Sequence, residues 1–301
     1  MHTSNLLKKN IADLSNIIRL AVDNLNRTGA VVVNVVSDNA SSNVSMFGHL
    51  GAKLTDPDDL RVNLDMKNIL GEDILAVIDT SHIIKLIRGC MGEKDLYTAA
   101  GKIEWRYIKQ LQFEQTKNQL LLGTKVKLKH VEYEKQKMKV YLATQVLSES
   151  VASAIEVCDK TLKLKDFENS SETCKFLRIF NKAFDLLDAK MPFDIIKPPM
   201  KASNKGTWSK QFDEIEAYIK SLHMKDPNKV LQLVVQVDEP PIKRKKKSER
   251  EDTRATTGVR KRGFLGFLIN IQTYRAIFRV YVEERRLLKY LLGHKLSQEK
   301  I

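Results

Sequence analysis

The sequence predicts an α/β protein that is predominantly helical, and three observations support that class. An unbroken β-branched run, AVVVNVV at 30–36, has the length and composition of a strand. A second such run ends at Asp79. After residue 79, apolar residues recur mostly at helical spacing. Continuous apolar runs are typical of strands buried on both faces, as in the sheets of α/β proteins.

The N-terminal elements follow from the same patterns. Apolar residues recur at helical spacing over Asn5–Asn26, and Gly29 follows as a C-terminal signal, so this segment is predicted to be an amphipathic helix. The strand at 30–36 comes next, and Ser42–Leu50 has the pattern of a short helix. The second predicted strand is Asp73–Asp79.

The rest of the chain is predicted to be helical, with two breaks. Residues 191–207 hold three of the seven prolines and are predicted to be a connector. Residues 239–262 are charged and rich in helix breakers, which indicates a flexible basic linker. The predicted helices are His82–Arg88, Glu104–Leu120, Glu134–Leu162, Ser171–Asp188, Trp208–Leu222 and Phe264–Gln298.

Composition narrows the class of partner. The chain of 301 residues has 51 Lys and Arg against 37 Asp and Glu, a net charge of +14. That excess favours a polyanion, with nucleic acid first, although plain solubility is an equal alternative. The three cysteines are too widely spaced for a disulfide framework or a zinc site, which indicates a reducing compartment. No apolar stretch approaches membrane-spanning length, so no membrane partner is expected.

Two acids stand where predicted strands end. Asp38 follows the first strand, and Asp79 ends the second. Sheets of α/β proteins present functional groups at this position, and two carboxylates on neighbouring strand ends would resemble a divalent-metal site. The alternative is that Asp38 or Asn39 caps the helix that begins near Ser42. Spacing alone leaves both interpretations open.

Local motifs do not indicate a nucleotide. The chain contains no glycine-rich phosphate loop of the P-loop or dinucleotide-binding type. The basic run at 243–247 is consistent with a nuclear import signal, with an arm that contacts phosphates or with a solvated linker.

Six blocks in a fixed order resemble the P-element transposase family, including its THAP-domain relatives. Each block resembles a segment of the family in residue type and spacing. The blocks are SDNASSNVSMFGHLG (37–51), DTSHIIKLIRG (79–89), KMKVYLATQVLSESVASAI (137–155), SSETCKFLRIFNKAFDLLD (170–188), KRGFLGFLINIQ (261–272) and KLSQE (295–299).

The resemblance implies an RNase H-like core interrupted by a largely α-helical GTP-binding insertion, and DNA transposition by three acids and two Mg²⁺ ions. Asp38 matches the second acid, and so is the candidate catalytic residue and metal ligand. The strand that carries the first acid is expected upstream of this sequence. The third acid is expected one residue beyond Ile301. On this interpretation Asp38 is the only triad acid present, and the chain is truncated at both ends.

The resemblance also implies a guanine-nucleotide site in the insertion. Two positions depart from the family, because Asp188 stands where the family has Asn and Glu299 where it has Asp. The acid at Asp188 adds negative charge near a polyanionic ligand, so weak GTP binding is expected. Carried over by block, the implied contacts fall on Lys125, Lys139, Val140, Ser148, Phe184, Asp185, Asp188 and Glu299.

These inferences combine into one domain prediction and one functional hypothesis. The predicted domains are a partial RNase H-like core at 1–96, the insertion at 97–238, the linker at 239–262 and a return to the core at 263–301. We expect a nuclear, transposase-derived protein without catalysis that binds DNA non-specifically, GTP weakly, and a second copy or a full-length transposase. The alternative is an active DNA transposase whose ends are missing from this sequence.

Overall fold

The computed structural model describes residues 2–119, 122–195, 197–225, 231–235 and 251–293. Ten helices and seven strands are named here in chain order. They are α1 (His2–Arg27), β1 (Asn34–Ser37), α2 (Ser41–His49), β2 (Asn63–Lys67), β3 (Asp73–Ile78), α3 (Thr80–Glu93), β4 (Leu96–Tyr97), β5 (Lys102–Ile103), α4 (Arg106–Lys117), α5 (Leu128–Val131), α6 (Val140–Val146), α7 (Glu149–Glu156), α8 (Ser171–Leu187), α9 (Lys205–Ser221), β6 (His223–Lys225), β7 (Leu231–Leu233) and α10 (Glu251–Ile277). The prediction of a predominantly helical α/β fold is confirmed.

The chain packs into two compact units. The first unit consists of Met1–Ile83, Leu187–Lys205 and Val237–Ile301, and the second of Ile84–Leu186 and Gly206–Gln236. The second unit therefore interrupts the first, as an insertion does. The four predicted domains, with their boundaries and their assigned functions, remain predictions.

A three-stranded sheet organises the first unit. Its order is β1-β3-β2, with β1 parallel and β2 antiparallel to the central β3. Ile74–Ile78 of β3 is buried along its whole length, as a continuous apolar run predicts. Helix α1 is joined to β2 by Arg19, which donates to the Asp65 carbonyl at 3.1 Å.

Helix α10 lies against β3 through two buried polar side chains. Asn270 accepts from the Ile78 amide at 2.9 Å and donates to the Ile78 carbonyl at 2.7 Å. Thr273 donates to the Ala76 carbonyl at 2.7 Å. Because both side chains are buried and bonded, they fix the register of this helix on the sheet.

The second unit combines helices with a small antiparallel sheet of order β5-β4-β6-β7. Aromatic side chains fill its core: Phe176 and Phe180 lie 4.6 Å apart between ring centroids, and Trp208 meets Phe212 edge-on at 5.8 Å. All four side chains are buried. Helices α8 and α9 thus contribute large aromatic side chains to this core.

Three predicted elements differ from the observed ones. The predicted helical stretch Phe264–Gln298 is wrong beyond Glu284, because α10 ends at Ile277, a π-helical turn follows over Phe278–Glu284, and residues 285–290 are not helical. The predicted helix Glu134–Leu162 is wrong as a single helix, because the chain breaks at Lys137–Lys139 and again at Leu147–Ser148. The predicted linker overlaps α10 at 251–262. The physical reason is that the two prolines of that stretch, Pro240 and Pro241, precede residue 251 and do not interrupt the helix.

The described helices are also informative about membranes. Within the described ranges, none is both long enough and apolar enough to cross a bilayer.

Candidate functional site

Asp38 and Asp79 emerge at the same edge of the first unit's sheet. Strands β1 and β3 are parallel neighbours with Ser37 opposite Ile78, so the next residue of each strand is an aspartate. The Asp79 amide donates to the Ser37 carbonyl at 2.8 Å, which extends the pairing to this point. Placing the two acids on neighbouring strand ends, as the pattern suggested, is therefore correct.

Only one of the two carboxylates caps a helix. The oxygens of Asp79 accept from the amides of Ser81 and His82 at 2.9 and 3.0 Å, so Asp79 caps the start of α3. Oδ1 of Asp38 accepts from the Ala40 amide at 2.8 Å and from Nδ2 of Asn43 at 2.7 Å, which forms a turn before α2. The prediction that Asp38 or Asn39 caps this helix is wrong, because its N-cap residue is Ala40 and no side chain caps it. Within the described residues, no group of three His, Cys, Asp or Glu side chains is arranged to hold a metal ion.

Helix α10 reaches the same sheet edge beside Asp38. Nδ2 of Asn39, which is buried, donates to the Arg262 carbonyl at 2.7 Å. One turn further along, a Cβ at Gly266 would lie 2.9 Å from Ile83 and 3.1 Å from Asn39, so a larger residue would force the helix away. Asn39 and Gly266 therefore hold the helix at the sheet edge. Sequence reasoning considered Asn39 only as a cap and missed this role.

The candidate nucleotide residues of the second unit fall mainly at helix starts. Lys139 is exposed and immediately precedes α6, of which the half-buried Val140 is the first residue. Ser148 caps α7, since its Oγ accepts from the Val151 amide at 3.4 Å and donates to the Gln145 carbonyl at 3.0 Å. Lys125 is exposed and precedes α5.

Phe184 and Asp185 lie near the C-terminal end of α8. Phe184 is buried, while Asp185 is half-buried and its Oδ2 accepts from Nδ2 of Asn181 at 2.7 Å. Asp188, just beyond the helix, is buried in the first unit, with Nζ of Lys190 at 3.6 Å from its Oδ2. Glu299 lies outside the described residues.

Three contacts show in which direction α8 runs relative to the segment formed by α7 and the turn after it. Ser170 donates to Asp159 at 2.9 Å, Cys174 contacts the Ala152 carbonyl at 3.4 Å, and Arg178 donates to Glu149 at 2.9 Å. The two segments are therefore antiparallel, and the C-terminal end of α8 points toward the end of α7 that begins at Ser148. Asp185 and Ser148 consequently belong to the same end of this helix pair.

Comparison with known proteins relates this geometry to a family. The family model "TNP-like, GTP-binding insertion domain" matches residues 81–198. The human protein "DNA transposase THAP9" is 27% identical over 293 residues, which is 95% of this chain and 29% of that protein. The "Transposable element P transposase" of Drosophila melanogaster is 29% identical over 184 residues, which is 59% of this chain and 22% of that protein.

These matches relate this chain to the P-element transposases.

A solved structure supports the fold of this P-element transposase relative. The "Drosophila P element transposase strand transfer complex" superposes with a TM-score of 0.68 at 22% identity, covering 95% of this chain and 56% of the solved one. This chain spans less than a third of the length of the curated relatives it matches.

Proposed function

We propose that this P-element transposase relative is a transposase-derived protein whose insertion binds a guanine nucleotide. The supporting observation is that the GTP-binding insertion model covers residues 81–198. That range contains every candidate nucleotide residue except Glu299, and the second unit begins within it at Ile84. GTP is therefore the proposed ligand.

The proposed contacts follow from the chemistry of the side chains. Lys139 is exposed and supplies positive charge to the phosphates as a point donor. Asp185 accepts two hydrogen bonds from the guanine edge, which adenine cannot donate in the same way. Asn181 fixes the direction of the Asp185 carboxylate at 2.7 Å. Ser148 belongs to the same end of the helix pair as Asp185.

The experiment is calorimetry of the chain with GTP and with ATP. We expect weak binding that favours GTP and is lost in Asp185→Ala, because the guanine edge then has no acceptor. Asp166→Ala is the matched control, since Asp166 is an exposed acid of the same unit and its loss changes the net charge equally. Equal affinities for the two nucleotides, or an equal loss in both variants, would disprove the proposed site.

Asp188 contributes negative charge, and Nζ of Lys190 lies 3.6 Å from its Oδ2. We therefore expect Asp188→Asn to bind GTP more tightly than the native chain in the same titration. The reason is that the amide removes repulsion toward the phosphates while keeping the side-chain shape.

For DNA, we propose non-specific electrostatic binding in the nucleus without strand transfer by this chain. Oδ1 of Asp38 already accepts from the Ala40 amide and from Asn43, which supports a structural role in the turn before α2. Strand transfer is the second candidate function, because Asp38 and Asp79 share one sheet edge. Mg²⁺-dependent joining of DNA that disappears in Asp38→Asn would establish the second candidate, since two metal ions need carboxylate ligands.

A second copy or a full-length transposase is the proposed protein partner.

A further inference from the structure

Arg88 is a buried cation that has no acidic partner among the described residues. Its side chain, on α3 in the second unit, is 1% exposed. Nη2 donates to the Lys137 carbonyl at 2.9 Å, whereas Nε and Nη1 are buried and have no hydrogen-bond partner among the described residues. Burial lowers the pKa of this guanidinium, which shows that the site disfavours its charge. Stability alone does not explain an arginine here, because such a group costs free energy.

The guanidinium contacts the chain segment that leads to Lys139. Its central carbon lies 5.0 Å from the ring centroid of Tyr133, a cation–π distance. Tyr133 is itself buried against α3, where its hydroxyl donates to the Gly89 carbonyl at 3.4 Å and a Cβ at Gly92 would overlap its ring. Helix α3 therefore holds the start of this segment through side-chain packing.

The end of the segment is held by the same helix. Besides the Arg88 hydrogen bond to the Lys137 carbonyl, Nζ of Lys137 lies 3.5 Å from Glu93. The Lys139 amide then donates to the Gln136 carbonyl at 3.2 Å, directly before α6 begins. The backbone position of Lys139 is therefore set by contacts between 133–137 and α3.

We propose that Arg88 is a positioning residue for the nucleotide site, which holds 133–137 on α3 so that Lys139 faces the phosphates. The proposal rests on the proposed function of the insertion, and adds a residue that contacts no nucleotide. On this proposal, the buried cation serves to fix the backbone beside the ligand site.

The first test compares stability with affinity in Arg88→Met. Methionine keeps an apolar stem and removes the cost of burying the charge, so we expect the melting temperature to stay unchanged or rise. We expect the GTP affinity to fall about tenfold, as for outer-shell partners of a binding site. The affinity for guanosine, which has no phosphates, should stay unchanged. A fall in melting temperature together with equal losses for GTP and guanosine would show a merely structural role and overturn the proposal.

A double-mutant cycle tests the route through Lys139. If Arg88 acts by placing Lys139, then Arg88→Met should cost little further affinity in a Lys139→Ala background. Fully additive losses would overturn the proposal. Arg106→Met is the control, because Arg106 is a half-exposed arginine of the same unit and its loss changes the charge equally. We expect it to leave GTP binding unchanged.

Amide hydrogen exchange separates this proposal from the proposed function. The Lys139 amide is bonded to Gln136, so its exchange reports on the segment without any nucleotide. We expect Arg88→Met to accelerate exchange at residues 137–140. If Arg88→Met accelerates exchange but the native chain binds no GTP, the nucleotide function is refuted. The role of Arg88 in holding 133–137 on α3 would then still stand. Unchanged exchange would overturn the role of Arg88 even if GTP binds.

Discussion

At the scale of single residues, Asp38 shows how one carboxylate can serve structure and chemistry with the same oxygen atoms. Its Oδ1 closes the turn before α2, while the neighbouring Asp79 caps the start of α3. These hydrogen bonds orient each carboxylate at the carboxyl end of its strand. The position is one where a metal ligand would stand, but the bonds to Oδ1 of Asp38 already give this atom a structural role.

Substitution of Asp38 separates these roles. Asp38→Ala removes the acceptor for the Ala40 amide and should lower the free energy of unfolding by about 1 kcal/mol. Asp38→Asn keeps an acceptor oxygen and should stay close to the native stability. Urea denaturation of both variants measures this, and equal stabilities of the two variants would contradict the structural role of the Asp38 turn.

Tyr133 gives a prediction for alkaline pH. Burial raises the pKa of its phenol to about 12 from 10.0. Between about pH 10 and 12 the folded state therefore keeps this proton while the unfolded state loses it. The stability that the buried neutral phenol contributes is fully present below about pH 10 and declines above it. We expect the native chain to lose stability relative to Tyr133→Phe as pH rises from about 10 to 12. Denaturation midpoints measured across that range check this, and parallel curves would count against it.

At the scale of elements, α7 and α8 are joined by Arg178, which donates to Glu149 at 2.9 Å and Glu156 at 2.7 Å. Hydrogen bonds from Lys160 first, and then from Arg178, lower the pKa of Glu156. Because the pKa of Glu156 is lowered in the folded state, its ion pairs stabilise the fold above the usual pKa of a glutamate. This stabilisation is lost as the pH falls through the lowered pKa. The pair should therefore weaken in acid.

Replacing Arg178 tests this link. The side chain is 34% exposed, so water screens the ion pairs and Arg178→Met should lower the free energy of unfolding by about 0.5–1 kcal/mol. High salt should reduce the difference, because it screens the native pairs. Thermal melts at low and high salt measure both effects. A difference that is independent of salt would point to packing of the arginine stem instead.

The sequence predicted the long elements well and the breaks poorly. The run before Asp79 identified β3, because buried strands are uniformly apolar. The run before Asp38 located β1, but this strand begins only at Asn34 and is mostly half-buried, so the expectation of burial on both faces is wrong there. The apolar stripe of the predicted helix Glu134–Leu162 is largely buried, yet the helix is broken at Ser148, where the hydroxyl caps a new start. Periodicity continues across such a break, so the pattern cannot reveal it.

Short strands and buried polar contacts left no usable pattern. Strands β4 to β7 have two or three residues, too few for a visible alternation. Asp38 was identified as a candidate because it follows an apolar run, but its acceptor role required geometry. Arg88 occurs in a block that resembles the family, and only the three-dimensional fold shows that it is buried without an acid.

At the scale of the whole molecule, the net charge of +14 sets the expected behaviour toward DNA. Lys and Arg that neutralise phosphates release counterions, so binding weakens steeply as salt rises. We expect the logarithm of the association constant to fall linearly with the logarithm of salt for any duplex. Fluorescence anisotropy with unrelated duplexes checks this, and a strong preference for one sequence at near-physiological salt would disprove it.

The interrupted first unit also has a consequence for synthesis on the ribosome. Strand β3 leaves the ribosome early, but the helix that covers it, α10, follows the entire second unit in the chain. The second unit can therefore complete its own folding while Ile74–Ile78 still lacks its cover. During that interval the nascent chain presents a bare apolar strand, which is a binding site for chaperones and a hazard for aggregation.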